Sequence, residues 1–186
     1  MKVFAIQSSV NIDGLTSSLV QSFLKGFKNA GGEAELAHLC RFDVKPCIAC
    51  DGGWGMCRKE GKCILKDDFE TLRGKIYEAD AHVFATPVYW HDLSESAKIF
   101  LDRLRRCESF NGFRNLSTKK AIGIASAGGS GMGAVKALLN LEDYLRRLGF
   151  QIFDLIPITR ISKDYKLEML EKAGYSLAKA LSSNPL

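Results

Sequence analysis

Ala81–Trp90 is the stretch AHVFATPVYW. It is apolar almost throughout up to Thr86-Pro87, with no alternation of polar and apolar positions. A strand with one wet face alternates, whereas a strand covered on both faces is a continuous apolar run. Proline has no N–H to give to a ladder, so the strand passes into a loop at Thr86-Pro87. This segment therefore predicts a buried strand of a covered, parallel sheet.

The same character recurs outward in both directions. KVFAIQ at Lys2–Gln7, the segments Glu33–Leu39 and Phe150–Ile156, and KKAIGIAS at Lys119–Ser126 all predict strands. Helical spacing fills the gaps. Leu19, Phe23, Leu24 and Phe27 share one face of a helix over Leu15–Ala30, which Gly31-Gly32 ends. Asp67-Asp68 opens a helix to about Glu78, with acids at its positive end. Ser94-Glu95 opens another to about Arg106, with Ala97, Phe100, Leu101 and Leu104 inward. A helix ending near Leu148 is expected to bury Val135, Leu138, Leu139, Leu145 and Leu148, and a last helix spans about Asp164–Leu181. Strand and helix alternate five times, which predicts an open, doubly wound α/β domain of three layers. Without an internal linker or repeat, residues 1–186 are expected to form one domain.

The chain of 186 residues is 46% hydrophobic and 25% charged, the balance of a globular protein. Its formal charge of +5 suits a small anionic ligand, and no basic stripe points to nucleic acid. No stretch approaches the roughly 20 apolar residues of a membrane span, and the N-terminus lacks the pattern of a signal peptide. A cytoplasmic protein with reduced cysteines is expected.

In an open α/β sheet, ligands bind beyond the carboxyl ends of the strands. Three loops leave those ends. The first carries Ser8, Ser9, Gly14, Leu15, Thr16, Ser17 and Ser18, hydroxyls and free N–H groups at a helix start. That suits a phosphate, or else is a plain capped helix start. It is neither a dinucleotide fingerprint nor a P-loop. The second, Pro87-Val88-Tyr89-Trp90 followed by His91, brings two aromatics that either flank a flat ring or pack on the next helix. The third, Ser126-Ala127-Gly128-Gly129, continues to Gly133 and lets a backbone approach a ligand closely. A monophosphate bearing a flat, acceptor-rich ring fits all three, and FMN matches that description.

With these residues in view, the chain resembles the flavodoxin-like NADPH-dependent FMN reductases and their iron–sulfur flavoprotein branch. Ser8, Gly14 and Thr16 match the family's first-loop pattern GSPRKxGNT, with Val10 and Leu15 in place of an arginine and an asparagine. Asp67-Asp68 through Ala79-Asp80 matches a second run, and Pro87-Val88-Tyr89-Trp90, Lys98 and Asp102-Arg103 match a third, long spaced pattern. The resemblance implies strand order 2-1-3-4-5, NAD(P)H as reductant, and electrons passed through FMN to a quinone, flavin or protein acceptor. It also implies a homodimer or homotetramer. The flavin carries the chemistry, so no catalytic side chain is expected, and backbone N–H groups of the second and third loops would face the reduced ring. Asp102 and Arg103 are expected to form a structural ion pair.

Between strand two and the helix at Asp67 lies a cysteine-rich insertion at about 45–65, which contains CIACDGGWGMCRKEGKC over residues 47–63. The spacing of Cys47, Cys50, Cys57 and Cys63 is C-x2-C-x6-C-x5-C. Iron–sulfur flavoproteins carry a tighter motif at this point, so a [4Fe–4S] cluster beside FMN is one reading. A zinc ion, a redox disulfide and a metal-free thiol loop are the others. Placed after strand two, the insertion is expected at the sheet edge that would hold FMN. Cys40 and Cys107 are expected to be buried hydrophobes. Besides an oxidoreductase, a non-enzymatic electron carrier and a regulatory module stay open.

Overall fold

The computed structural model describes residues 1–183. Its centre is a five-stranded parallel sheet in the order β2-β1-β3-β4-β5. The strands are β1 (Lys2–Gln7), β2 (Glu33–His38), β3 (Ala81–Pro87), β4 (Lys120–Ala127) and β5 (Gln151–Thr159). The helices are α1 (Leu15–Asn29), a single turn α2 (Met56–Lys59), α3 (Phe69–Glu78), α4 (Glu95–Glu108), α5 (Ala134–Arg147) and α6 (Lys163–Ser183). This is the flavodoxin-like order.

Side chains alternate across each strand. Val3, Ala5, Val83, Ala85, Ile122, Ile124, Ile156 and Ile158 pack under α1 and α6. Phe4, Ile6, Phe84, Ala121 and Ala125 pack under α3, α4 and α5. Both faces are covered, so β3 is buried at every position, as its unbroken apolar run requires. Each fully buried Leu, Val or Phe contributes about 1.5–3 kcal/mol over exposure.

Two sequence-based expectations change. β5 continues three residues past Ile156, to Thr159, and pairs there with Ala127. On α5 the inward stripe is Ala134, Ala137, Leu138, Leu141 and Leu145. Val135 and Leu139 are 60% and 55% exposed, against the expectation that they are inside. At about 100° per residue they lie about 100° and 140° from the centre of that stripe. Among the described residues, no helix is long and apolar enough to cross a membrane.

Candidate functional site

The carboxyl ends of β1, β3 and β4 are tied to one another. Ser8 N–H donates to the Ala85 carbonyl at 3.0 Å, and Val88 N–H donates to the Ser126 carbonyl at 2.9 Å. The hydroxyls of Thr16 and Ser126 lie 2.7 Å apart, joining the start of α1 to the end of β4. The three loops singled out in the sequence thus converge.

Within the first loop, Gly14 caps α1 without a side chain, and no side-chain oxygen closes the helix end. The N–H groups of Leu15, Thr16 and Ser17 therefore point out of the helix without an intrahelical acceptor. The Ser8 hydroxyl faces inward, donating to the Ala85 carbonyl at 3.1 Å and accepting from Ser94 at 2.8 Å. Ser9 Oγ accepts from Asn11 N–H, and the Ser18 hydroxyl turns back to the Leu15 carbonyl. The open donors of this loop are thus mainly backbone groups, with several serines holding its shape. Ser94 and Ser96 complete that support. Ser94 caps α4 through Ala97 N–H, and the Ser96 hydroxyl donates to the Ser8 carbonyl at 2.9 Å. Ser94 was legible as a helix start, but its contact with a loop 86 residues away was not.

The second loop is a tight turn. Tyr89 and Asp92 exchange two backbone hydrogen bonds of 3.0 Å, and Trp90 and His91 between them have φ of 50° and 65°. Such a turn ordinarily takes Asn-Gly, and two bulky left-handed residues cost of order 1–3 kcal/mol each. Trp90 is 99% exposed at its tip. The N–H groups of Val88 and Tyr89 are taken up internally, so of this loop only Trp90 and His91 keep N–H groups at the tip. Asp92 Oδ1 accepts from Leu93 N–H and from Asn140 Nδ2, which pins the turn to α5. The third loop fits against it: a Cβ on Gly133 would lie 2.7 Å from His91 Cα. Gly128 and Gly129 are exposed.

The cysteine loop takes a different path. It leaves β2, coils through left-handed Ala49, Asp51, Gly52 and Gly53, and lies against the C-terminal half of α4. Cys47, Cys50, Cys57 and Cys63 line one cavity with Ile48, Ile64, Arg103, Arg106 and a fifth thiol, Cys107. The space they enclose is small, about 20 Å³, and opens to solvent. Gly55 makes room for a sulfur: a Cβ at that position would lie 2.7 Å from Cys50 Sγ. The loop is fastened by Cys63 N–H to Glu70 at 3.1 Å, by Arg73 to the Gly61 carbonyl at 2.5 Å, and by Arg106 to the Gly53 carbonyl. Trp54 stacks under Arg106 at 4.7 Å. Among the described residues, no three His, Cys, Asp or Glu side chains converge on a point that would hold a single metal ion. The thiols ring a space instead.

Three expectations are corrected here. The cavity is not at the FMN edge of the sheet: α4 runs back along the sheet, and its nine to thirteen residues from Ser94 to Arg103–Cys107 rise about 14–20 Å. Arg103 does not pair with Asp102. It pairs with Asp67 through both oxygens, at 2.5 and 2.9 Å, while Asp102 accepts from the Tyr144 hydroxyl at 2.7 Å. Burial alone would raise the Asp67 carboxyl, but hydrogen bonds from Arg103 and from the N–H groups of Lys45 and Phe69 hold it below the ordinary carboxylate range. Cys40 is exposed rather than buried. Cys107 is buried as expected, which pushes its thiol up to about 12, yet it belongs to the wall of the cysteine cavity.

The family model for NADPH-dependent FMN reductase matches residues 1–155. The chain belongs to this family. An iron–sulfur flavoprotein of Methanocaldococcus jannaschii is 31% identical over 158 residues, covering 85% of this chain and 75% of that protein. A second from the same organism is 36% identical over 105 residues, covering 56% of this chain and 52% of its own length. The chain spans about half the length of this and other curated relatives it matches. The NAD(P)H:quinone oxidoreductase of Methanothermobacter marburgensis superposes with a TM-score of 0.73 at 20% identity, covering 95% of this chain and 96% of that one. That likeness shows the shared fold.

The first loop presents an uncapped helix end. Trp90 and the third-loop glycines Gly128 and Gly129 are exposed.

Proposed function

We propose that this chain is an FMN-dependent oxidoreductase that passes electrons from NAD(P)H to a quinone, flavin or protein acceptor. The observation that carries this reading is the convergence of the three strand-end loops around an uncapped helix start. When bound, FMN supplies hydride acceptance and electron transfer. The N–H groups of Leu15, Thr16 and Ser17 would hold its phosphate, with Ser8, Ser9, Gly14 and Ser18 shaping the loop. Pro87 and Val88 would underlie the ring, and Tyr89 and Trp90 would flank it. Trp90 N–H, His91 N–H, and the backbone at Ser126, Ala127, Gly128 and Gly129 would donate to its acceptor edge.

The reading includes a [4Fe–4S] cluster held by Cys47, Cys50, Cys57 and Cys63. Four thiols around one space and relatives named iron–sulfur flavoproteins support it. Zinc is disfavoured, because thiolates about 2.3 Å from one ion must crowd a single point. The apolar exposure of Met132, Val135, Leu139 and Tyr165 beside a groove of about 620 Å³ is consistent with a homo-oligomer. Six free cysteines suit the reducing cytoplasm.

Anaerobic purification followed by an absorbance spectrum and iron, sulfide and zinc analysis tests both cofactors. A flavin spectrum with four irons per chain is expected, and Cys57→Ala should lose the iron but keep the flavin. Protein that carries no flavin and binds none when it is added would refute the FMN reading. Steady-state NAD(P)H oxidation with a quinone or ferricyanide separates an enzyme from a carrier without turnover.

A further inference from the structure

Arg103 is 1% exposed, one of the largest fully buried side chains, and lies on the wall of the cysteine cavity. Most of its donors are accounted for. Nη1 donates to Asp67 and to the Lys45 carbonyl at 2.5 and 2.9 Å, and Nη2 donates to Asp67 at 2.9 Å. The Phe69 ring covers the guanidinium at 4.3 Å. Nε is buried and, among the described residues, has no hydrogen-bond partner. Leaving such a donor unsatisfied costs about 1–3 kcal/mol, so it calls for an acceptor.

Arg103 also lines the cavity that holds the thiols. Cys63 lines the same cavity as Arg103, four residues before Asp67, the carboxylate that Arg103 grips. A desolvated cationic N–H beside thiols matches a sulfur that carries negative charge. We propose that Arg103 Nε–H donates a hydrogen bond to Cys63 sulfur when that sulfur ligates the cluster, and that Arg103 thereby sets the cluster's reduction potential as a positioning residue. The inference rests on the cluster reading above. A hydrogen bond to a ligating sulfur and a fixed cation both favour the more negative, reduced cluster, so they raise its potential.

The competing account is purely structural: Arg103 clamps Lys45 and Asp67, the two ends of the loop. The test uses the anaerobically purified holoprotein. Arg103→Lys keeps a cation and loses Nε–H; the cluster midpoint, followed by EPR during a redox titration, should fall while iron content stays at the wild-type value. Asp67→Asn weakens the clamp but keeps Nε–H, and should lower thermal stability with a smaller shift in midpoint. Wild-type protein labelled with ¹⁵N at arginine Nε should show nitrogen coupling to the reduced cluster, and that coupling should survive Arg106→Lys. Full iron with an unchanged midpoint in Arg103→Lys overturns the inference alone, as does absent coupling in the wild type. If Arg103→Lys does not fold, the isotope measurement decides. Wild-type protein without iron and sulfide overturns the cluster reading and this inference with it.

Discussion

His82 is the second residue of β3 and has no exposed surface, its ring 5.1 Å from Phe150 and 6.1 Å from Phe84. Nε2 bonds the Ile76 carbonyl at 2.9 Å, which fixes the proton on that nitrogen of the neutral ring. Burial pulls its pKa from 6.5 to about 3. The native ring stays neutral while the unfolded ring takes up a proton below 6.5, so unfolding binds a proton between those values. Stability from this residue is full above pH 6.5 and declines as the pH falls toward 3, by about 1.4 kcal/mol per unit. Urea denaturation at pH 4, 5, 6 and 7 should show a shallower pH dependence for His82→Gln than for the wild type; equal slopes would remove His82 from the account. Other single residues were only half legible. Ser8 and Thr16 stood out as phosphate ligands by type, yet their hydroxyls are turned to Ser94 and Ser126. The left-handed φ of Ala49, Asp51, Trp90 and His91 marks both candidate sites, and residue identity does not disclose it.

At the level of elements, α1 and α6 cross so closely that glycine is required on both. A Cβ on Gly26 would lie 1.8 Å from the Glu171 carbonyl oxygen, and one on Gly174 would lie 2.0 Å from that of Phe23. Both contacts are with backbone, which cannot rotate aside. Gly174→Ala should therefore destabilise the protein by about 3 kcal/mol, although in an isolated helix alanine is favoured over glycine by about 1 kcal/mol. Chemical denaturation should show a lower midpoint with an unchanged slope. The buried faces of α1 and α4 were readable because their apolar residues repeat at helical spacing. That of α5 was misread at Val135 and Leu139, because apolar surface beside a groove has the same composition as core. The strands were readable as runs, but the three further residues of β5 alternate between partly exposed and buried, which an apolar-run criterion does not pick up.

On the scale of the whole molecule, α4 is a rod with one candidate site at each end. Ser94 supports the strand-end loops, and Arg103, Arg106 and Cys107 wall the cysteine cavity about 14–20 Å farther along. On the proposed reading, FMN and a cluster should then load independently at these two candidate sites. Removing iron with a chelator under anaerobic conditions should leave FMN affinity within about twofold, an energy change of about 0.4 kcal/mol. A tenfold loss on titration would show that the sites are coupled. The strand order was legible through the family pattern around Pro87-Val88-Tyr89-Trp90. The position of the cysteine loop was not, since Arg73, Glu70 and Arg103 steer it through contacts made only on folding. The chain has two tryptophans, and the rod separates them: Trp90 at the tip of the strand-end turn, Trp54 against Arg106 on the cysteine loop. Each site thus carries its own intrinsic fluorophore. With Trp54→Phe, the remaining emission reports on the strand-end turn where flavin is proposed to bind; with Trp90→Phe, it reports on the sulfur-lined end alone.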